Sequence, residues 1–132
     1  MKYHSYILVS LISSLAHSSS LSPIELGYEY FRVMRVSGYT SNTLECDNTP
    51  YITASGYVLT DKDIGKVCAC NRFAMGTILY IVGTGEVKVV DRMSKKYPNR
   101  IDLYFGSPFK KHKKQAKKWG VPFKQIWVKK KK

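Results

Sequence analysis

Acidic residues are scarce in this sequence, which contains 9 Asp and Glu against 22 Lys and Arg and so carries a net charge of +13. A surplus of this size predicts polyanionic partners, such as nucleic acid, anionic lipid or an anionic cell-wall polymer. A phosphate-binding loop is also missing, because Gly83-Thr84-Gly85 has neither the following helix nor the Lys that such a loop needs. There is no internal repeat of useful period. These absences argue against a nucleotide-binding enzyme and against a repeat protein.

Long apolar runs are limited to one, Tyr6 to Ala16, which follows the short basic start Met1 to His4. We expect a signal peptide over residues 1–20, with cleavage after Ala16 or a few residues later. The run is too short for a transmembrane helix, which needs about 20 apolar residues, although an uncleaved N-terminal anchor is the alternative. The mature chain is therefore expected to be soluble and either secreted or held in the cell envelope. Export favours cell-wall polymers over nucleic acid as the polyanionic partner.

Cysteine is also rare, with only Cys46, Cys68 and Cys70 present. In an exported protein two of them can pair and leave the third free. Cys68 and Cys70 are two positions apart in a predicted strand and face the same side, so either can pair with Cys46. Two small buried thiols are the alternative. A three-Cys metal site lacks a nearby His or a fourth Cys and is not expected.

Short apolar segments separated by Gly- and Asn-containing turns predict a mainly β protein, a small barrel with one helix added. We expect strands over residues 31–39, 51–56, 66–71, 78–82, 86–91, 100–105 and 121–128, and a helix over residues 108–119 that ends at Gly120. Residues 21–32 are predicted to be a linker or a leading strand, residues 33–128 the domain, and residues 129–132 a disordered basic tail. Residues 40–50 are predicted to form a surface loop.

Two aspartates, Asp91 and Asp102, each lie in a predicted strand on either side of a basic, turn-rich connector. Alternation places Ile101 and Leu103 on the core face, so Asp102 is expected to face solvent or a cleft, beside Tyr104, whose ring can pack on a sugar. Two facing carboxylates are the minimal equipment for cleaving a glycosidic bond. The alternative is structural: Asp91 pairs with a neighbouring Arg or caps a turn.

The order of several short motifs resembles the 3D domain, a family named for three aspartates. The motifs are Tyr39-Thr40, Thr53-Ala54-Ser55-Gly56, Asn71 followed by Met75-Gly76-Thr77, Val90-Asp91, and Asn99-Arg100-Ile101-Asp102-Leu103-Tyr104-Phe105. The family occurs in membrane-bound lytic transglycosylase A and in secreted cell-wall proteins of the resuscitation-promoting and stationary-phase-survival type. The resemblance covers about residues 33–128 and implies a six-stranded double-psi β-barrel.

The resemblance also implies an activity: cleavage of the MurNAc–GlcNAc β-1,4 bond of peptidoglycan with formation of a 1,6-anhydro end. Asp91 matches the family's second aspartate, the candidate general acid and then base, and Asp102 matches the third, which would tune or hold the site. Tyr39, Thr40, Thr53 and Tyr104 are candidate substrate-binding residues. No metal and no cofactor are implied.

Two positions depart from the family pattern. Asn71 stands where the first aspartate is expected; it cannot ionise, but its amide can hydrogen-bond to substrate or to Asp102. Arg92 replaces the small, Gly-rich segment that commonly follows the second aspartate. It either clamps a substrate carboxylate or pairs with Asp91 and quenches its acidity. Both departures favour the alternative function, a non-catalytic peptidoglycan-binding module on the same barrel.

Lysines crowd the predicted helix and the tail and predict electrostatic docking on anionic wall polymers, with a solvated helix face as the alternative. The six in the helix are Lys110, Lys111, Lys113, Lys114, Lys117 and Lys118. His112 is predicted to be a surface residue, and Trp119, Phe123 and Trp127 are predicted to belong to the core. A third function, a cationic membrane-active protein, is disfavoured because the helix lacks an apolar stripe.

Overall fold

The computed structural model describes residues 20–41 and 52–131. The predicted signal peptide apart from Ser20, most of the predicted loop at residues 40–50 with Cys46, and Lys132 lie outside the described residues. The strands are β1 (Tyr28–Tyr39), β2 (Val67–Cys70), β3 (Ile78–Ile81), β4 (Gly85–Asp91), β5 (Arg100–Tyr104) and β6 (Phe123–Lys129), and the helix is α1 (Lys110–Trp119). A short 3₁₀ turn spans Asp61–Asp63.

The six strands close into a barrel in the order β1-β5-β2-β4-β3-β6. Two pairs are parallel, β1 with β5 and β2 with β4, and the remaining pairs are antiparallel. The β3–β4 hairpin turns at Gly83 and Gly85, which both have a positive φ that favours glycine. The predicted mainly β fold, a small six-stranded barrel with one late helix, is therefore confirmed in the described residues.

The barrel interior is the main core. It is filled by alternate side chains from all six strands, as the period of two predicts. The fully buried members are Val36, Cys68, Cys70, Leu79, Ile81, Val87, Val89, Ile101 and Ile126. Within the described residues Cys68 and Cys70 are free thiols, and burial is the main reason that the pKa of each thiol is raised.

A second apolar cluster lies on the outside of the barrel, where residues 57–64 cover strands β2, β4 and β5. Its buried members are Leu59, Val67, Val90 and Tyr104, and Tyr39, Tyr57 and Ile64 pack against them. This covering segment explains why Val67 and Tyr104, which face away from the interior, are 4 % and 0 % exposed.

Helix α1 packs against β1 through its apolar side. Trp119 donates a hydrogen bond of 2.8 Å from Nε1 to the Val36 carbonyl, and its ring contacts Phe105. Gly120 ends the helix with a positive φ, as expected for a C-terminal glycine. The prediction that His112 is a surface residue is wrong: it is buried, and its Nδ1 lies 2.8 Å from the Ser107 carbonyl oxygen.

Several predicted boundaries and placements are also corrected. Residues 52–56 form no regular strand, because Ile52 makes only an isolated bridge to Val58. Lys129 belongs to β6 rather than to a disordered tail, since it pairs with Tyr28. Phe123 is 67 % exposed rather than part of the core. No helix in residues 20–41 and 52–131 is long and apolar enough to cross a membrane.

Candidate functional site

Asp91 and Asp102 lie on either side of the same residue of β2. Ala69 pairs with Asp102 of antiparallel β5 and with Asp91 of parallel β4. Neighbouring strands are about 4.8 Å apart, which places the two aspartate backbones about 9.6 Å apart across β2. The register between β2 and β4 shifts at this point, between Cys68 and Ala69. Such irregularities commonly redirect a side chain beside a functional site.

A turn at residues 53–56, which precedes the covering segment, fixes the Asp91 carboxylate. Its Oδ1 accepts hydrogen bonds from the backbone N–H groups of Ala54 at 2.9 Å and Arg92 at 2.8 Å. The Ser55 hydroxyl donates to the carbonyl of Val90 at 2.6 Å and ties the same turn to β4. This turn therefore holds Asp91 in place through its backbone.

Asp102 is partly buried at the border of the second cluster. Its Oδ1 accepts a hydrogen bond of 3.1 Å from the Ser37 hydroxyl, which lies opposite it on β1. Burial raises the pKa of Asp102 to about 6; the charge of Asp91 also raises it, while the Ser37 hydrogen bond and the charge of Arg100 lower it. A carboxyl group with this pKa changes protonation state near neutral pH, as a general acid must.

The Tyr39 hydroxyl is the third member of the group. Its oxygen is buried and has no hydrogen-bond partner within the described part of the chain. The pKa of Tyr39 is raised, mainly by burial and then by the charges of Asp91 and Asp102. One neutral O–H group therefore lies within electrostatic reach of both carboxylates, enclosed by the protein.

Asn71 and Arg92 serve the chain itself. The Asn71 amide donates to the carbonyls of Met93 at 3.1 Å and Ser94 at 3.0 Å, and its oxygen accepts from the Met93 N–H at 3.0 Å. Arg92 donates from one guanidinium nitrogen to the carbonyls of Cys70 at 2.6 Å and Phe73 at 2.8 Å. The expected pairing of the Arg92 guanidinium with Asp91 is not formed, because only the Arg92 backbone N–H contacts that carboxylate.

Placing an aspartate at position 71 by Asn71→Asp is expected to destabilise the protein. The new carboxylate would face the Met93 and Ser94 carbonyls in place of the amide donor. Leaving those acceptors unpaired should lower the free energy of unfolding at neutral pH by about 1–3 kcal/mol. Urea unfolding measures the loss, and acidification should reduce it because a protonated carboxyl can donate one bond. Exposed Asn99→Asp is the matched control; equal losses in both variants would contradict this role of Asn71.

The other predicted site residues are distributed as follows. Thr53 is buried, and its hydroxyl contacts the Ser55 hydroxyl and accepts from the Tyr57 N–H, so it shapes the turn that holds Asp91. Thr40 follows β1 and is half-buried. The expectation that Tyr104 faces a cleft is wrong: it is fully buried, its ring packs on Tyr39, and its hydroxyl lies 2.8 Å from that of Ser41.

Ser37 is the residue that sequence reasoning missed. Its only signal is its place on the outward face of β1, and recognising it requires the β1–β5 register. In the described residues, no group of three His, Cys, Asp or Glu side chains converges as metal ligands. No protein-family model and no curated protein matches this sequence.

Proposed function

We propose that this protein is an exported lytic transglycosylase that cleaves the MurNAc–GlcNAc β-1,4 bond of peptidoglycan and leaves 1,6-anhydro ends. The observation that carries the proposal is the Asp102 carboxyl, with its pKa raised to about 6 beside a second carboxylate and an unpartnered buried hydroxyl. Glycosidases place one proton-donating carboxyl and one ionised carboxylate about the scissile bond, and their environments set which is which.

The environments of the two aspartates favour Asp102 as the residue that carries the proton. The resemblance gives this role to Asp91. Asp102 donates its proton to the leaving glycosidic oxygen as the bond to the anomeric carbon breaks. The sugar's own 6-hydroxyl then bonds to that carbon and returns its proton to the Asp102 carboxylate. No water is consumed, and the enzyme ends in its starting protonation state.

Asp91 is suited to the second role. Two backbone N–H donors hold its carboxylate in one orientation, as a group that stabilises the positive charge developing on the sugar ring must be held. Preorganised groups of this kind need little reorganisation free energy during the reaction because they are already in place.

The lysines of α1 support the proposed partner. All six, Lys110, Lys111, Lys113, Lys114, Lys117 and Lys118, are exposed, whereas Trp119 on the same helix packs on the barrel. Their summed charge would draw the protein to anionic wall polymers over distances limited by salt screening. Export and wall binding favour this partner over nucleic acid, and the occupied apolar side of α1 argues against a membrane-active helix.

The test uses the full chain, incubated with purified peptidoglycan at about pH 6 and followed by mass spectrometry of the soluble fragments. We expect fragments that end in 1,6-anhydroMurNAc, and their loss in Asp102→Asn and in Asp91→Asn. Fragments with reducing ends would instead identify a hydrolase. Sedimentation with the wall and no fragments would refute the enzyme and leave the non-catalytic binding module on the same barrel.

A further inference from the structure

A row of basic and aromatic side chains lies next to the Asp102 site on the same face of the barrel. In the registers of β1 with β5 and with β6, Arg35 pairs with both Arg100 and Phe123. Ser37 and Asp102 pair two residues further along β1 and β5. Residues two apart in a strand face the same side and are separated by about 6.6 Å, so the arginine row adjoins the carboxylate.

Aromatic rings hold both guanidinium groups in place. The Arg35 guanidinium carbon lies 5.1 Å from the centre of the Phe123 ring, and that of Arg100 lies 4.4 Å from the centre of the Tyr97 ring. Stacking of this kind orders a flexible side chain and leaves its N–H groups at the edge available for an anion. It also gives the exposed Phe123 ring a role that core packing does not.

Within residues 20–41 and 52–131, neither guanidinium has a carboxylate partner. The one salt bridge between side chains in residues 20–41 and 52–131 joins Lys129 and Glu86. Arg100 is half-buried and Arg35 exposed, and Asp102 feels the charge of Arg100 without a hydrogen bond to it. Two ordered, unpaired guanidinium groups beside a candidate catalytic acid match the geometry of a carboxylate.

We propose that Arg35 and Arg100 form a subsite that binds a carboxylate of the glycan adjoining the scissile bond, so that the site selects acidic over neutral glycans. This inference rests on the proposed function, because it assigns part of the same substrate. In peptidoglycan the carboxylate belongs either to the lactyl group of MurNAc or to the stem peptide. The two sources share the chemistry that the arginines recognise, and peptide-free strands separate them.

The test measures binding of soluble oligosaccharides by the full chain carrying Asp102→Asn, which prevents turnover. The probes are peptide-free glycan strands with free lactyl carboxylates, peptide-bearing strands, and neutral β-1,4-linked GlcNAc oligomers of equal length. Arg35→Gln and Arg100→Gln are compared with Arg32→Gln, which removes the same charge from β1 and also has its guanidinium over a ring, that of Phe31.

We expect Arg35→Gln and Arg100→Gln each to weaken binding of at least one acidic probe about tenfold, and the double variant to weaken it further. Binding of the neutral GlcNAc oligomers should change little. Arg32→Gln should bind as the parent does. Preference for peptide-free strands assigns the lactyl carboxylate, and preference for peptide-bearing strands assigns the stem peptide. Equal binding of acidic and neutral probes, no binding at all, or equal losses in Arg32→Gln would overturn the proposal.

The outcomes for the two proposals are separable. In one outcome, binding of acidic glycans depends on Arg35 and Arg100 but the wild type yields no anhydro fragments. This result would support the subsite and refute the transglycosylase. Anhydro fragments released at equal rates from acidic strands by the wild type and the Arg35→Gln, Arg100→Gln double variant would keep the enzyme and refute the subsite. Thermal unfolding of each variant shows whether the barrel is intact.

Discussion

Replacing Asp102 by Asn is expected to abolish glycan cleavage and, at the same time, to make the protein more stable at pH 8. Loss of a positioned general acid lowers rates by about 10²–10⁴-fold. The stability gain follows from burial, which raises the pKa of this carboxyl from 3.8 to about 6. Since the ionised form is disfavoured in the folded state, the wild type carries a partly buried charge at pH 8 that the neutral amide avoids.

The direction with pH follows from the same shift. Between pH 3.8 and about 6 the folded state binds the proton more tightly than the unfolded state, so this group's contribution to stability is lost as the pH rises. Above about pH 6 the loss is complete and amounts to about 2–3 kcal/mol before solvent screening. Asn can still accept from the Ser37 hydroxyl, so the native contact is retained.

Urea unfolding at pH 4 and pH 8, together with fragment release, measures both effects. The wild type should lose stability from this group between the two values, and Asp102→Asn should not. Ser37→Ala removes the neighbouring hydroxyl without removing the carboxyl and is the matched control. A variant that is inactive because it no longer folds would show instead that Asp102 is a structural residue.

Cleavage by the wild type is expected to fall about tenfold per pH unit above about pH 6, because only the protonated Asp102 donates to the leaving oxygen. Neighbouring substitutions should move the midpoint of this fall in opposite directions. Ser37→Ala removes a hydrogen bond that lowers the pKa of Asp102, so the midpoint should move to higher pH. Asp91→Asn removes a charge that raises the pKa, so the Asp102 titration should move to lower pH.

The pH–rate profiles of the wild type and Ser37→Ala measure the shift caused by loss of the Ser37 hydroxyl. NMR titration of the Asp102 carboxyl carbon measures the shifts in both variants, including Asp91→Asn, which is expected to be inactive. Asp63→Asn, which alters a carboxylate bonded to Tyr57 and Thr60, is the control. The alternative outcome is a rate midpoint that Ser37→Ala does not move and that matches an NMR titration absent from Asp91→Asn. In that case Asp91 is the acid, as the resemblance implies.

Local pattern was enough to predict most of the barrel. The β3–β4 hairpin follows from Gly83 and Gly85 between two apolar runs, and the end of α1 follows from Gly120. The sequence predicts a strand at Ile52, but within the described residues only Val58 pairs with it. Local composition cannot reveal this missing pairing. Pairing depends on partners distant in sequence, which a window of a few residues does not contain.

The two aspartates of the candidate site can be named from the sequence, but their environments cannot. Alternation correctly turns Tyr104 away from the barrel interior, yet the outside of β5 is covered by residues 57–64, so an outward side chain is fully buried. Burial also raises the pKa of Asp102, which alternation alone does not predict. His112 was misplaced for a related reason, since a buried residue within a lysine run has no compositional signal.

Strand β6 lies between β1 and β3, and this position affects how the chain folds. Its partner Tyr28 lies at the start of β1 and pairs with Lys129 at the end of the barrel sequence. Closure therefore depends on contacts between segments far apart in the chain, which makes folding slow compared with that of helical proteins of similar size. Until residues 123–129 are available, β1 and β3 present unpaired edges, and a partly synthesised chain is prone to aggregate through them.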